Sequence, residues 1–241
     1  MTPSSPLTIG LVLFPDITQL DLTGPSEVFA RMPGARVLLV AADLDGVRTE
    51  HGLTIMPTAT FEHAPPLDVV CVPGGVGVNR AMEDAALLEF LKRQASTARY
   101  VTSVCTGALV LGAAGLLRGY RATTHWLSLD LLPLVGAQVV EERVVIDRNR
   151  ITGGGVTAGI DCGLVIAAEL FGPMVAQEIQ LMLEYNPAPP FHSGSPRLAP
   201  PEVVQHVAEP RQRLQEERRI IIERAVARLA RSAAPRGNGG R

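Results

Sequence analysis

The sequence predicts an α/β protein: a mainly parallel sheet covered by helices on both faces, a three-layer sandwich with a nucleophile elbow at one strand end and an extra C-terminal helix. Three observations predict it. Short apolar β-type runs alternate with longer helical patterns, which builds parallel strands joined by helical crossovers. Residues 100–108, Tyr-Val-Thr-Ser-Val-Cys-Thr-Gly-Ala, form an apolar run that stops at Cys105 and passes directly into a small-residue helix. The chain has 241 residues, 46% hydrophobic and 19% charged with formal charge −2, which suits one fairly large domain with a proper core and excludes a disordered chain.

The strand runs are Leu7–Phe14, Ala35–Ala42, Asp68–Val72 and Tyr100–Val104, with helices expected near 24–32, 84–97 and 106–117. Sites in such sheets lie at the carboxyl ends of the strands, where the loops Pro15–Pro25, Pro73–Asn79 and Cys105–Thr106 are expected to converge. A helix near 127–134 follows, with short strands near 137–140, 143–147 and 150–152. Gly153-Gly-Gly-Val-Thr-Ala-Gly159 then opens a helix to about Leu170, and another runs from Pro173 to Glu184. Beyond Tyr185 the run Asn-Pro-Ala-Pro-Pro-Phe-His-Ser-Gly-Ser-Pro cannot be regular, because each proline removes a donor and fixes φ, so it reads as a crossing segment. Residues 201–231 are expected to be helical, with Val207, Leu214, Ile221 and Ala225 forming a partial stripe that packs on the body of the protein or on a partner subunit. The division is therefore residues 1–190 as the α/β domain and 191–241 as an extension with one long helix, with poor order expected at 1–6 and 232–241.

Lys92 is the one lysine among 22 basic residues, a bias that reads as genome composition rather than phosphate or nucleic-acid recognition. Residues 201–241 carry nine Arg against five Glu, a local charge of +4, but the interleaved Glu and the lack of an aromatic platform make this a solvated face, and no nucleic-acid partner is expected. Cys71, Cys105 and Cys162 are too few and too unevenly spaced for a disulfide framework or zinc site, so the expected compartment is a reducing cytoplasm. The N-terminal Met-Thr-Pro-Ser-Ser-Pro lacks a basic region and the apolar stretch after it ends at Pro15, so neither signal peptide nor membrane span is expected. His51, His63, His192 and His206 form no ligand set, and no metal or cofactor is expected.

The thiol at the strand-to-helix turn is the candidate nucleophile: helix amides beneath it favour a thiolate, lowering its pKa by one or two units and raising the reactive fraction severalfold to about tenfold. The same local pattern fits a buried structural cysteine. Asp21, flanked by leucines in Gln-Leu-Asp-Leu-Thr-Gly-Pro, is either a helix N-cap or, in an apolar pocket, a carboxyl whose raised pKa lets it deliver a proton near neutral pH. Gly74 and Gly75 let backbone amides approach a ligand closely, or simply make a tight turn. Thr106 offers a hydroxyl and an oxyanion-type amide beside the sulfur, or is merely a first-turn helix residue. His125, in Ala-Thr-Thr-His-Trp, orients the thiol or satisfies a buried hydrogen bond. The run Gly153–Gly155 lacks the lysine of a phosphate-binding loop and reads as a helix start beside the pocket, while Cys71 and Cys162, each centred in an apolar element, read as core.

Taken together, Gln-Leu-Asp21-Leu-Thr-Gly-Pro, Val-Pro-Gly74-Gly75, Ser-Val-Cys105-Thr106-Gly, Arg-Ala-Thr-Thr-His125-Trp and Thr-Gly-Gly-Gly-Val-Thr-Ala-Gly-Ile-Asp161 resemble the ThiJ/PfpI superfamily, whose sheet is flavodoxin-like, over about Leu7 to Pro190. Within it the chain is similar to the branch that hydrates isonitriles. That resemblance implies a catalytic trio of Asp21, Cys105 and Thr106, an isonitrile as small-molecule substrate, an N-substituted formamide as product and a homodimer. The peptidase branch places histidine directly after the nucleophile where this chain has Thr106, so a Cys-His dyad is missing; glyoxalase-like and oxidative-stress members usually carry glutamate in place of Asp21, one methylene longer. The sensor domains of AraC-type regulators share Cys-Thr-Gly and Ala-Thr-Thr-His-Trp and continue into a helix-turn-helix domain, whereas only about fifty residues remain here. The resemblance thus implies a lyase, with a non-catalytic small-molecule sensor or a thiol redox sensor as the alternatives.

Overall fold

A computed structural model describes residues 6–233, so the termini expected to be poorly ordered lie outside the described residues except for Pro6 and positions 232–233. In chain order the elements are β1 (Leu7–Val12), α1 (Gln19–Phe29), β2 (Ala35–Ala41), β3 (Val47–Arg48), β4 (Thr54–Ile55), β5 (Ala59–Thr60), β6 (Val69–Val72), α2 (Val78–Ala81), α3 (Ala85–Ala95), β7 (Tyr100–Val104), α4 (Gly107–Ala113), β8 (Arg121–Ala122), a 3-10 helix (Trp126–Val135), β9 (Gln138–Val139), β10 (Val144–Asp147), β11 (Arg150–Gly153), α5 (Ala158–Phe171), α6 (Pro173–Met182), α7 (Pro201–Ala208), a short 3-10 turn (Glu209–Arg211) and α8 (Gln212–Ala233).

Seven strands form the central sheet in the order β10-β11-β7-β6-β1-β2-β5. All of its pairings are parallel except the edge pair β10–β11. Every side chain of β6 is buried, as expected of a central strand covered on both faces. Helices α1, α5 and α6 pack together on one side, while α3, α4, α8 and the long 3-10 helix pack on the other. The chain leaves β1 for β2 on one side and resumes at β6 on the other. The carboxyl ends of β1 and β6 therefore flank a topological switch point, and the loop after β7 opens beside it.

Two expectations need correction. Helix α1 begins at Gln19, not near 24, because its packing against α5 carries it through Gly24 and Pro25, a pair that reads as a helix start in isolation. Asp21 consequently sits inside the first turn, and Thr18 occupies the N-cap. The C-terminal region is also two helices, α7 and α8, separated at Glu209–Arg211, where Pro210 interrupts regular α-helix. Helix α8 packs on the body of the protein: Arg218, Ile221, Ile222 and Ala225 are buried where it crosses α4 and the long 3-10 helix.

Candidate active site

Cys105 joins β7 to α4 at φ +55°, in the left-handed region where a residue other than glycine costs about 1–3 kcal/mol. Its backbone is held from two sides: its N–H donates to the Gly153 carbonyl at 3.1 Å, and Thr124 Oγ1 donates to its carbonyl at 2.8 Å. The strand-end strain and these fixed bonds build the elbow read from the sequence.

Asp21 reaches the same place from α1. It is fully buried, and Oδ2 accepts a hydrogen bond from Gly74 N at 2.8 Å while Oδ1 is enclosed with no partner of regular geometry. It caps nothing. Burial pushes the carboxyl from its ordinary 3.8 to about 7; the Gly74 amide and the adjacent Cys105 thiol oppose that rise, and the Glu50 charge adds to it. Glu50 accepts from Thr18 Oγ1 at 2.7 Å and from Val76 N at 3.3 Å, so it braces the loops on the outer side of Asp21.

The thiol corrects a third expectation. Cys105 is 5% exposed, and burial, with the Asp21 charge added, holds its pKa well above the ordinary thiol value rather than below it. The Thr106 amide acts in the anticipated direction but is outweighed by desolvation. Cys71 and Cys162 are buried at 1% exposure, and burial pushes Cys71 up to about 12, so both are core thiols.

Gly74 and Gly75 bring the backbone into close contact with the residues around the thiol. A Cβ on Gly74 would lie 2.6 Å from both the amide and the hydroxyl of Thr106 and 2.9 Å from Asp21 Oδ2. Gly75 has φ +130°, and a Cβ there would meet Thr18 N at 2.5 Å. Its amide donates to Thr106 Oγ1 at 3.2 Å. Thus Asp21, Gly74, Gly75, Cys105 and Thr106 meet in one place, from three segments widely separated in sequence.

His125 stands at the border. It caps the long 3-10 helix, with Nδ1 accepting from Leu127 N at 3.3 Å, and no hydrogen bond joins it to the thiol. Burial and the charges of Arg218 and Arg211 push it down to about 4, so the ring is neutral at neutral pH. It lines, with Trp126, Gly154, Gly155 and Thr157, a cavity of about 460 Å³ into which the glycine run opens ahead of α5. Among the described residues no cluster of three or more His, Cys, Asp or Glu side chains is placed to hold a metal ion.

A model of the DJ-1/PfpI family matches residues 8–169. The chain belongs to the DJ-1/PfpI family. Among DJ-1/PfpI relatives, an isonitrile hydratase from Pseudomonas putida is 57% identical over 226 residues, 92% of this chain and 98% of the relative. An HTH-type transcriptional regulator from Pseudomonas aeruginosa is 33% identical over 190 residues, 76% of this chain but 52% of the regulator. A crystal structure of a ThiJ/PfpI family protein from Pseudomonas syringae superposes with a TM-score of 0.89 at 44% identity, covering 90% of this chain and 91% of that one.

Sequence reasoning missed Arg218. It lies on α8, is 4% exposed, and donates from Nη2 to the Gly75 carbonyl at 3.0 Å. A signal for it existed, since Leu214, Arg218, Ile221 and Ala225 recur at helical spacing and put the arginine on the apolar stripe.

Proposed function

We propose that this DJ-1/PfpI protein hydrates an isonitrile, R–N≡C, to the N-substituted formamide, with Cys105 as nucleophile and Asp21 as general acid and base. The observation that carries the reading is a fully buried carboxyl, poised at about 7, against a thiol at a strained strand end. The similarity to the Pseudomonas putida enzyme supports the same substrate class.

The chemistry fits these groups. The terminal isonitrile carbon accepts a nucleophile when it is protonated as the new bond forms, so a thiol and a carboxyl sharing one proton supply both halves of the addition. The Cys105 proton passes through Asp21 to the carbon as sulfur bonds to it, leaving the thioimidate R–N=CH–S–Cys105 and an ionised Asp21. Asp21 then takes a proton from water, hydroxide adds to the same carbon, and that proton goes to nitrogen. Collapse of the tetrahedral R–NH–CH(OH)–S–Cys105 expels the sulfur, and the hydroxyl proton returns to the Cys105–Asp21 pair as the formamide leaves. General acid–base assistance of this kind contributes roughly 10²–10⁴ in rate. The Thr106 amide and hydroxyl, beside the sulfur, hold the substrate or the charge that develops, with Gly74 and Gly75 packed near them and His125 lining the neighbouring cavity. A two-atom linear head also suits a sulfur only 5% exposed.

A homodimer and a cytoplasmic location complete the reading. The exposed Met174, Leu181 and Met182 on α6 and Phe191 beyond it support a second copy as their cover, and three free buried cysteines support a reducing compartment. Light scattering at twice the chain mass is expected; a monomer removes the dimer. The activity is tested by incubation with cyclohexyl isocyanide: N-cyclohexylformamide should appear, whereas binding without turnover would favour the sensor alternative.

A further inference from the structure

Arg218 is a buried cation without a counter-ion. Among the described residues no carboxylate lies within ion-pair distance of it; its guanidinium instead donates to three neutral acceptors, the Gly75 carbonyl at 3.0 Å, Asn79 Oδ1 at 3.1 Å and Ser128 Oγ at 3.5 Å. Ser128 Oγ in turn donates to Gln215 Oε1 at 2.9 Å, so one turn of α8 grips the 3-10 helix and the Gly75 turn together. Burying a guanidinium without a carboxylate is costly, and a hydrophobic side chain of similar volume would pack α8 at least as well. The packing of the helix therefore does not explain the charge.

The place it is held does. Gly75 receives Arg218 at its carbonyl and gives its N–H to Thr106 Oγ1, so a continuous chain of hydrogen bonds runs from α8 through the turn to the residue after the nucleophile. Glu50 grips the next amide, Val76 N, from the opposite side. Burial disfavours the charged form of Arg218, and a negative Cys105 sulfur, which lies within electrostatic reach of the guanidinium, favours it. None of the other titratable groups nearby supplies a second buried cation. Asp21 on α1 and Glu50 ahead of β4 are acidic, His125 at the 3-10 cap is neutral, and Arg211 before α8 is exposed.

We propose that Arg218 is a positioning residue of the active site: from the C-terminal helix it fixes the Gly74–Gly75 turn through the Gly75 carbonyl and supplies the fixed positive charge that stabilises the ionised Cys105 sulfur. This rests on Cys105 being the nucleophile, but not on the identity of the substrate. The C-terminal helix is thereby a working part of the pocket.

The test measures alkylation of Cys105 by iodoacetamide as a function of pH, read by peptide mass spectrometry on the native protein, in the wild type and in Arg218→Gln and Arg218→Lys. Gln keeps a donor for the Gly75 carbonyl and removes the charge; Lys keeps the charge. Folded R218Q is expected to alkylate about tenfold more slowly at about pH 8, its pH profile displaced upward by about one unit, with R218K within about twofold of the wild type. Wild-type profiles in both variants, or equal displacement in both, would overturn the proposal. Should R218Q fail to fold, Arg218→Met, of similar volume and uncharged, takes its place in the same comparison: an upward displacement of about one unit is expected, and a wild-type profile overturns the proposal. Because alkylation reads the sulfur directly, absence of formamide production would count against the isonitrile reading without touching this result.

Discussion

Replacing Asp21 with Asn should stabilise the protein at neutral pH while disabling it. The native carboxyl titrates at about 7 against an ordinary 3.8, because it is buried. Between those two pH values the folded chain holds a proton that the unfolded chain has already released, so raising the pH favours unfolding; stability is greatest below about 4 and falls as pH climbs through about 7. A displacement of about 3 units at 1.36 kcal/mol each comes to about 4 kcal/mol, the most this one group can withdraw. Asn has nearly the same shape, retains an acceptor for Gly74 N and never ionises. The difference in unfolding free energy between D21N and wild type should therefore shift in favour of D21N by up to about 4 kcal/mol from about pH 4 to about pH 8, equivalent to about 10 °C in relative melting temperature for a chain of this size. Urea titrations at both pH values measure it, and all other ionisable groups cancel in the comparison. Equal differences at both pH values would refute the claim that this carboxyl is forced into a dry site. Turnover in the same variant should fall by at least about 10², since no proton can pass through Asn.

Two further outcomes follow from the same geometry. For the wild type, kcat/KM should rise with pH up to about 7 and then level, because below that value a second proton on the Cys105–Asp21 pair removes the form that attacks; a flat profile from pH 5 to 8 would show that Asp21 does not titrate in the free enzyme. Gly75→Ala places a Cβ at φ +130° within 2.5 Å of Thr18 N and should cost at least about 2 kcal/mol of stability by chemical denaturation, with no loss expected only if the turn is free to move.

The parts of the site set by local covalent pattern were legible in the sequence. An apolar run ending at Cys105 and followed by Thr-Gly-Ala announces a strand, an elbow and a helix, and β7 ends at Val104 and α4 begins at Gly107 close to where that pattern changes, although α4 stops at Ala113 rather than near 117. Asp21 was legible as a residue but not as a position, because Gly24-Pro25 imitates a helix start that tertiary packing on α5 overrides. The direction of the Cys105 shift was not legible at all. A helix terminus is visible in sequence, whereas the burial that outweighs it depends on chains folding over the pocket from elsewhere. Arg218 was hidden for a related reason: in an arginine-rich helix one charge looks like another until the face that is buried is known. The short strands β3, β4 and β5 and helix α2 span two to four residues each, too few for any periodicity to register.

The central proposed step is a covalent bond between substrate carbon and the Cys105 sulfur, formed as a proton passes through Asp21. Acid quenching of the protein within its first turnovers on cyclohexyl isocyanide, followed by peptide mass spectrometry, observes that bond directly. The predicted result is an adduct of one isonitrile on Cys105, with neither adduct nor formamide in Cys105→Ala; formamide produced by Cys105→Ala at near the wild-type rate would contradict it.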